Sequence, residues 1–351
     1  SWVSLRAQYS DNSDGHRKLL AVTRPFYALD ARWAAGGTGL TDDRRTTMYQ
    51  FGEEAAEYRH ERDYAHVFAG LSKGLHNGYA RRWTTGIVLD DNRFSDVPTS
   101  SLPAVVPDDR KLVYPYVGLE IVQDGYVTTR NRDQIDRTED FQMGLQFRAA
   151  IGWADRSFGS DRDAAIFSAS ASRGFGSLQD KALIVSAQTQ GRVESGSLAN
   201  GTLLLDARYY SKQSDKRTFF AALSGTAGHA LDLDNPVELG GVTGMRGYPL
   251  RYQVGESKFL ATIEQRYFTD WYPFRFARVG GAIFADVGRV WGPNPLGEDN
   301  RGLLADVGIG LRLALTRVSS GRVIHIDLAF PLNDDPEIDS VQLLIESKKS
   351  F

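Results

Sequence analysis

The amino-acid sequence predicts an all-β fold, one antiparallel transmembrane β-barrel of sixteen strands extending over residues 1–351. Three observations predict it. Segments of about ten residues in which apolar and polar side chains alternate recur from end to end, separated by turn chemistry, as a membrane barrel requires. No segment approaches the roughly 18 consecutive apolar residues of a spanning helix, so a membrane could be crossed only by strands. The composition, with 35 Gly, 6 Trp, 15 Tyr, 18 Phe, 12 Pro and no Cys, scatters its apolar residues rather than pooling them. A formal net charge of -3 carries no signature of a nucleic-acid partner. The lack of cysteine is compatible with an oxidising periplasm.

In chain order, the first strand opens at once in alternation (1–9), and strands two and three (17–25, 29–40) are parted by a tight turn at 26–29. Strands four and five (62–74, 79–92) flank Asn77-Gly78, the strongest short hairpin signal. Strands six to eleven are 111–125, 138–152, 164–173, 182–193, 202–212 and 216–228, and the last five are 256–268, 278–290, 303–316, 322–331 and 340–350. Residues 46–58 tempt as a seventeenth strand. They are assigned to an outer loop, because bacterial barrels have an even strand number and Gly52-Glu53-Glu54 breaks the alternation. Short turns at 26–29, 76–79 and 214–216 then fall on one side, and long loops at 41–61, 93–110 and 229–255 on the other. Residues 127–138 are the exception, a long turn on the short side.

The clearest two-face signal comes late. Ala305, Val307, Ile309, Leu311, Leu313 and Leu315 alternate with Asp306, Gly308, Gly310 and Arg312. Ile324, Ile326, Leu328 and Phe330 alternate with His325 and Asp327. Periodicity cannot say which face is wet. Trp271, Tyr272, Phe274 and Phe276, crowded into one turn, favour an interfacial aromatic girdle over a solvated hairpin. The chain closes V-Q-L-L-I-E-S-K-K-S-F, where the terminal Phe351 shares the parity of Val341, Leu343 and Ile345.

The long loop before strand twelve contains G-G-V-T-G-M-R-G-Y-P-L over residues 240–250. Gly240, Gly241, Gly244 and Gly247 permit tight turns and close backbone approach, and Arg246 is the segment's sole charge. An arginine in such a setting needs an anionic partner. F-A-D-V-G at 284–288 offers Asp286, on the same strand face as Phe284 and Gly288 and opposite Ile283, Ala285 and Val287. Glu264 and Arg266 on the preceding strand, with Asp306, Arg312 and Asp327 on the following ones, would line the same lumen.

G-M-R-G-Y (Gly244, Met245, Arg246, Gly247, Tyr248) resembles the V-R-G-[FY] loop motif of the surface-antigen outer-membrane barrels, the superfamily of BamA, TamA and FhaC, and F-A-D-V-G resembles its F-x-D-x-G strand motif. Met245 stands where valine is usual, a volume-conserving change. The resemblance covers the last third of the chain closely, with T-R-P-F-Y-A-L-D at 23–30 as an earlier echo. It implies that the loop between strands 11 and 12 folds back into the barrel, and that contact of Arg246 with Asp286 fixes an arrangement needed for protein insertion or secretion. It also makes Phe351 resemble a carboxy-terminal insertion signal. The expected setting is the bacterial outer membrane, with its lipids and a polypeptide substrate as partners.

No periplasmic polypeptide-transport domain is recognisable in this chain, and Ser1-Trp2 enters a strand directly. The expectation is a barrel domain whose full-length protein carries periplasmic domains or a passenger upstream. An alternative is an anchor or exit pore for a fused enzyme, such as a patatin-like lipase; a diffusion porin would have no use for the two motifs. Covalent chemistry, cofactor and metal have little support. Gly70-Leu71-Ser72-Lys73-Gly74 fits a nucleophile elbow in letters only, since it precedes a hairpin rather than a helix. His16, His60, His66, His76, His229 and His325 are dispersed. Asn200-Gly201-Thr202 reads as a hairpin turn, and Asp232, Asp234 and Asn235 as a solvated loop with the makings of a cation site.

Overall fold

Side chains in a strand point alternately to either face, so a chain of alternating segments joined by hairpins builds a sheet with one apolar and one polar side. A computed structural model describes residues 2–297, 299–317, 322–333 and 338–348. The first six strands are β1 Ser4–Asn12, β2 Gly15–Arg24, β3 Trp33–Gln50, β4 Glu53–His76, β5 Tyr79–Ser95 and β6 Arg110–Gln123. A small hairpin follows, β7 Tyr126–Arg130 and β8 Thr138–Gln142. Then come β9 Gln146–Ala154, β10 Ala164–Gly176, β11 Lys181–Glu194, β12 Ser197–Ser214 and β13 Arg217–His229. A second small pair is β14 Val237–Leu239 and β15 Gln253–Gly255. The series ends with β16 Ser257–Phe268, β17 Ala277–Trp291, β18 Leu304–Leu315, β19 Val323–Pro331 and β20 Gln342–Lys348.

Leaving aside the two small pairs, these strands form one sixteen-stranded sheet in chain order, each antiparallel to the next. The sheet curls on itself. At one end the Phe51 amide, at the β3–β4 tip, donates to the Tyr252 carbonyl (3.1 Å), and Asn294 donates to Gln50 (2.9 Å). At the other end Asp136 pairs with Arg278 of β17 (2.8 Å).

The structure resolves which face is wet. Ile309 is 54% exposed while its neighbours Asp306 and Arg312 are 1% and 0% exposed. Leu5, Val67, Leu71, Ile87, Ile151, Leu205, Ile263, Leu343 and Ile345 continue the outward apolar belt. A soluble sandwich would reverse this, burying the aliphatic side chains and exposing the charges. Leu311→Arg should therefore cost about 2–4 kcal/mol in vesicle unfolding, and Gln188→Arg, facing the lumen, far less. Equal costs would reverse the faces. The lumen is not uniformly tolerant, however. A Cβ at Gly310 would fall 2.0 Å from Asp327 Oδ1, because this glycine makes room for the Arg312–Asp327 ion pair.

Three expectations are corrected. Residues 46–58 are neither a loop nor a seventeenth strand: they prolong β3 and β4 as a ribbon that turns at Phe51-Gly52, both with positive φ (51° and 87°). The segment expected as one strand over 138–152 divides into β8, outside the main sheet, and β9. Asn200 is not in a hairpin turn but within β12, at a register shift with φ 47°, where its side chain holds Asp232 and Asn235. Asn77-Gly78 does form its turn (φ 50° and 77°). Phe351 lies outside the described residues. Because long loops belong on the outer side of such a barrel and short turns on the periplasmic side, a cysteine at Glu53 should label on intact cells and one at Asn77 should not. The opposite result would invert the topology.

Candidate functional site: a loop arginine seated in the lumen

The segment joining β13 to β16 is the longest excursion at the β3–β4 end of the sheet, and it turns inward. The three-residue pairing of β14 with β15 closes its neck. Inside, a single 3-10 turn, Gly241–Thr243, is capped by Gly244 at φ 119°. Met245, Tyr248 and Tyr252 bury against Leu239, Val290 and Leu304. Gly288 of β17 is the complement of this packing, since a Cβ there would stand 3.0 Å from Leu239 and 3.3 Å from Met245 Sδ.

That packing aims Arg246 at the wall. Its Nε and Nη2 donate to the two oxygens of Asp286 (2.7 and 3.0 Å), and its Nη1 donates to Glu264 (2.7 Å). The guanidinium carbon lies 3.4 Å from the centre of the Phe284 ring. Such a bidentate fork over an aromatic face is a geometry lysine cannot reproduce. Asp286 also accepts from Thr262 Oγ1 (2.6 Å). The neighbouring Gly247 amide donates to Asp306 (2.9 Å), and the Tyr248 hydroxyl sits between Asn333 and the backbone of Ala305.

Register explains why these groups meet. Thr262, Asp286 and Asp306 are direct cross-strand partners, as are Gly310 and Asp327, so the inward positions of β16 to β19 form one charged patch. Arg312 pairs with Asp327, whose other oxygen is 3.9 Å from Arg246. Arg266 donates to Glu264 (2.8 Å) and to Asp133 (3.1 Å). Every lumenal charge singled out in the sequence thus gathers within one network around Arg246. Thr262 and Asp133 were not anticipated: Thr262 has a signal in its strand parity, whereas nothing local marks Asp133.

Other candidates dissolve. Asp232 and Asp234 are taken up by arginines, Asp232 by Arg192 (2.6 Å) and Asp234 by Arg110 (3.0 Å). Burial pushes the Asp232 carboxyl up, but Arg192 and Arg110 outweigh it and hold it below the usual range. Among the described residues no group of His, Cys, Asp and Glu could hold a metal ion. Gly70 and Ser72 lie within the β4 ladder, in the barrel wall. On the lumen side away from the loop, Phe68, Thr84, Tyr116, Ser168, Ser170 and Gln188 are among the residues lining a cavity of about 740 Å³.

Residues 126–345 match the Omp85 superfamily domain. The chain belongs to the Omp85 superfamily. This membership places the barrel in the bacterial outer membrane and agrees with the lipid-facing belt. In fold it is similar to BamA from Haemophilus ducreyi lacking POTRA domains 1–3, at 14% identity and a TM-score of 0.51, over 99% of this chain and 64% of that one. CdiB from Escherichia coli is similar at 13% identity and a TM-score of 0.45, over 98% of this chain and 66% of that one. This Omp85 barrel therefore spans under two thirds of the length of either structure. No curated protein matches it.

Proposed function

We propose that this chain is the membrane-embedded unit of an outer-membrane protein that inserts polypeptides into the membrane or passes them across it. It works through the shape of its lumen and wall, without covalent chemistry or a cofactor. In this reading the loop is locked in the lumen by Arg246, held by Asp286, Glu264 and the face of Phe284. The observation that carries it is the completeness of that grip: a guanidinium 6% exposed, with a bidentate acid, a second acid and a ring around it. A lumen used only for diffusion has no need to anchor a loop so firmly. The cavity on the lumen side away from the loop, where Ser168, Ser170, Thr84 and Gln188 stand beside Arg82, Glu120 and Arg148, suits an extended polypeptide of unspecified sequence.

Arg246→Lys separates charge from geometry. It keeps the cation but loses at least one charge-assisted hydrogen bond, worth roughly 1.5–3 kcal/mol. In proteoliposomes that present a nascent outer-membrane barrel or an extended secreted passenger, the lysine chain should insert or export about tenfold less, an effect equal to about 1.4 kcal/mol. It should remain folded in the membrane. Full activity in the lysine chain would rule out the lock.

A further inference from the structure

The small hairpin between β6 and β9 has no part in the wall. β6 pairs directly with β9, from Tyr116↔Gly152 to Val122↔Gln146, so the barrel would be continuous without residues 126–142. Instead β7 and β8 pair only with each other. The hairpin lies at the end opposite the arginine loop, beside the Asn77-Gly78 turn, where the Asp124 amide donates to the Gly78 carbonyl (2.8 Å).

Its tip crosses to the far wall. Asn131 donates to the Asp215 carbonyl (3.0 Å) and accepts from Thr218 (3.3 Å). The buried guanidinium of Arg132 donates to the Leu178 carbonyl (2.8 Å). Ile135 packs with Phe268, Ala282 and Val323. Tyr210 donates to Asp133 (3.1 Å), and Asp136 meets Arg278. A segment rooted between β6 and β9 thus reaches β12, β13, β16, β17 and β19. Glu139 stiffens the turn by accepting from the amides of Arg132 and Asp133 (2.9 and 2.8 Å). Burial pushes its carboxyl up to about 7 against those two hydrogen bonds.

We infer that residues 126–142 are a plug across the periplasmic mouth, latched to the outer arginine loop through one shared carboxylate, Glu264. One of its oxygens takes Arg246 Nη1 (2.7 Å) and the other takes Arg266 Nε (2.8 Å). Arg266 in turn donates to the Arg132 carbonyl (2.8 Å) and to Asp133 (3.1 Å), so a continuous chain of charges runs Asp133, Arg266, Glu264, Arg246, Asp286. Arg266 and Glu264 are both under 10% exposed, and removing a charge from such a chain leaves its neighbour uncompensated in the lumen. A polypeptide that displaces the plug by taking Arg132 and Asp133 from Arg266 weakens the seat of the loop on the other side. Coupling of this kind is reciprocal, so release of the loop must loosen the plug by the same factor. The inference rests on the lumen being a passage, but the plug can be tested without transport.

The native chain has no cysteine, so Ile135→Cys gives a single buried thiol at the tip of the hairpin. In liposomes with the periplasmic face outward, an impermeant maleimide should label it slowly, and in a Glu264→Gln background about tenfold faster. Asp133→Asn, which keeps the shape of the tip, should raise proteolysis of the outer loop by a similar factor. Replacing residues 126–142 by a short turn should raise single-barrel conductance in planar bilayers. Rapid labelling of the introduced thiol in the otherwise native chain, or unchanged conductance on removal of the hairpin, would overturn the plug. A Glu264→Gln chain in which that thiol is still protected, or an Asp133→Asn chain with the loop still resistant, would overturn the latch. None of these readouts depends on insertion or export, so a failed transport assay would strike the proposed function and leave them standing.

Discussion

Arg246→Ala is expected to unseat the outer loop, leaving Asp286, Glu264 and Asp306 crowded on one stretch of wall without their shared cation. Removing one partner of a fully buried pair costs about 3–5 kcal/mol, and a wet lumen lowers that figure. Asp286→Ala should cost less than Arg246→Ala, because Glu264 remains to hold the guanidinium. The double substitution should then be little worse than Arg246→Ala, since the acid left behind is the source of the cost. Proteolysis of the loop in reconstituted barrels gives all four corners of the cycle, with a coupling of about 1–3 kcal/mol expected between contacting residues. Strict additivity of the two substitutions would show that the pair does not act as one.

Gly240→Ala is expected to be nearly as damaging, for a reason with no electrostatics in it. A Cβ on Gly240 would lie 2.3 Å from the Pro249 carbonyl oxygen and 2.6 Å from the Arg251 nitrogen. Both are backbone atoms of the returning half of the loop and cannot rotate aside as a side chain does. Overpacking of this sort typically costs about 1–3 kcal/mol, and here it falls on the neck through which the loop enters the lumen. Gly39→Ala in β3 is the control, with nothing within 4 Å of its added carbon. It should change stability by less than about 0.5 kcal/mol. If the two alanines are tolerated alike, the neck is not closed as described.

What the sequence disclosed follows from where water lies. Between β17 and β20 one face meets lipid and the other a polar lumen, so period-two alternation is strong and the strands were legible to within a few residues. Residues 46–58 form a ribbon whose one face packs Met48, Ala56 and Tyr58 against Phe94, but Gln50 interrupts that face and Tyr49 and Phe51 stand on the other, so alternation no longer distinguishes strand from loop. The hairpin at 126–142 was hidden in the same way: its strands are five residues each, its charges are satisfied by distant parts of the chain, and only its excessive length on the short-turn side hinted at it. Arg246 and Asp286 could be matched because each sits in a recognisable local pattern. Asp133 could not, being brought to Arg266 only because its hairpin crosses from β6 and β9 to the far wall. Alternation placed Gly310 on the polar face without marking it as special, and the structure shows it to be the space occupied by an ion pair.

The ribbon at the β3–β4 tip has a mechanical consequence. Its turn abuts the arginine loop, with the Phe51–Tyr252 hydrogen bond and a Cβ at Gly52 placed 2.4 Å from that of Pro249. The loop is rooted in β13 and β16, whereas the ribbon rises from the third and fourth strands of the sheet. Together they form a tie across the outer rim, spanning the arc that contains the first and last strands. Hoop strain applied at that arc is therefore carried at the rim by side chains and two turns. The barrel is braced at its outer rim much as a cask is braced by its top ring, and any widening there must first part Phe51 from Tyr252.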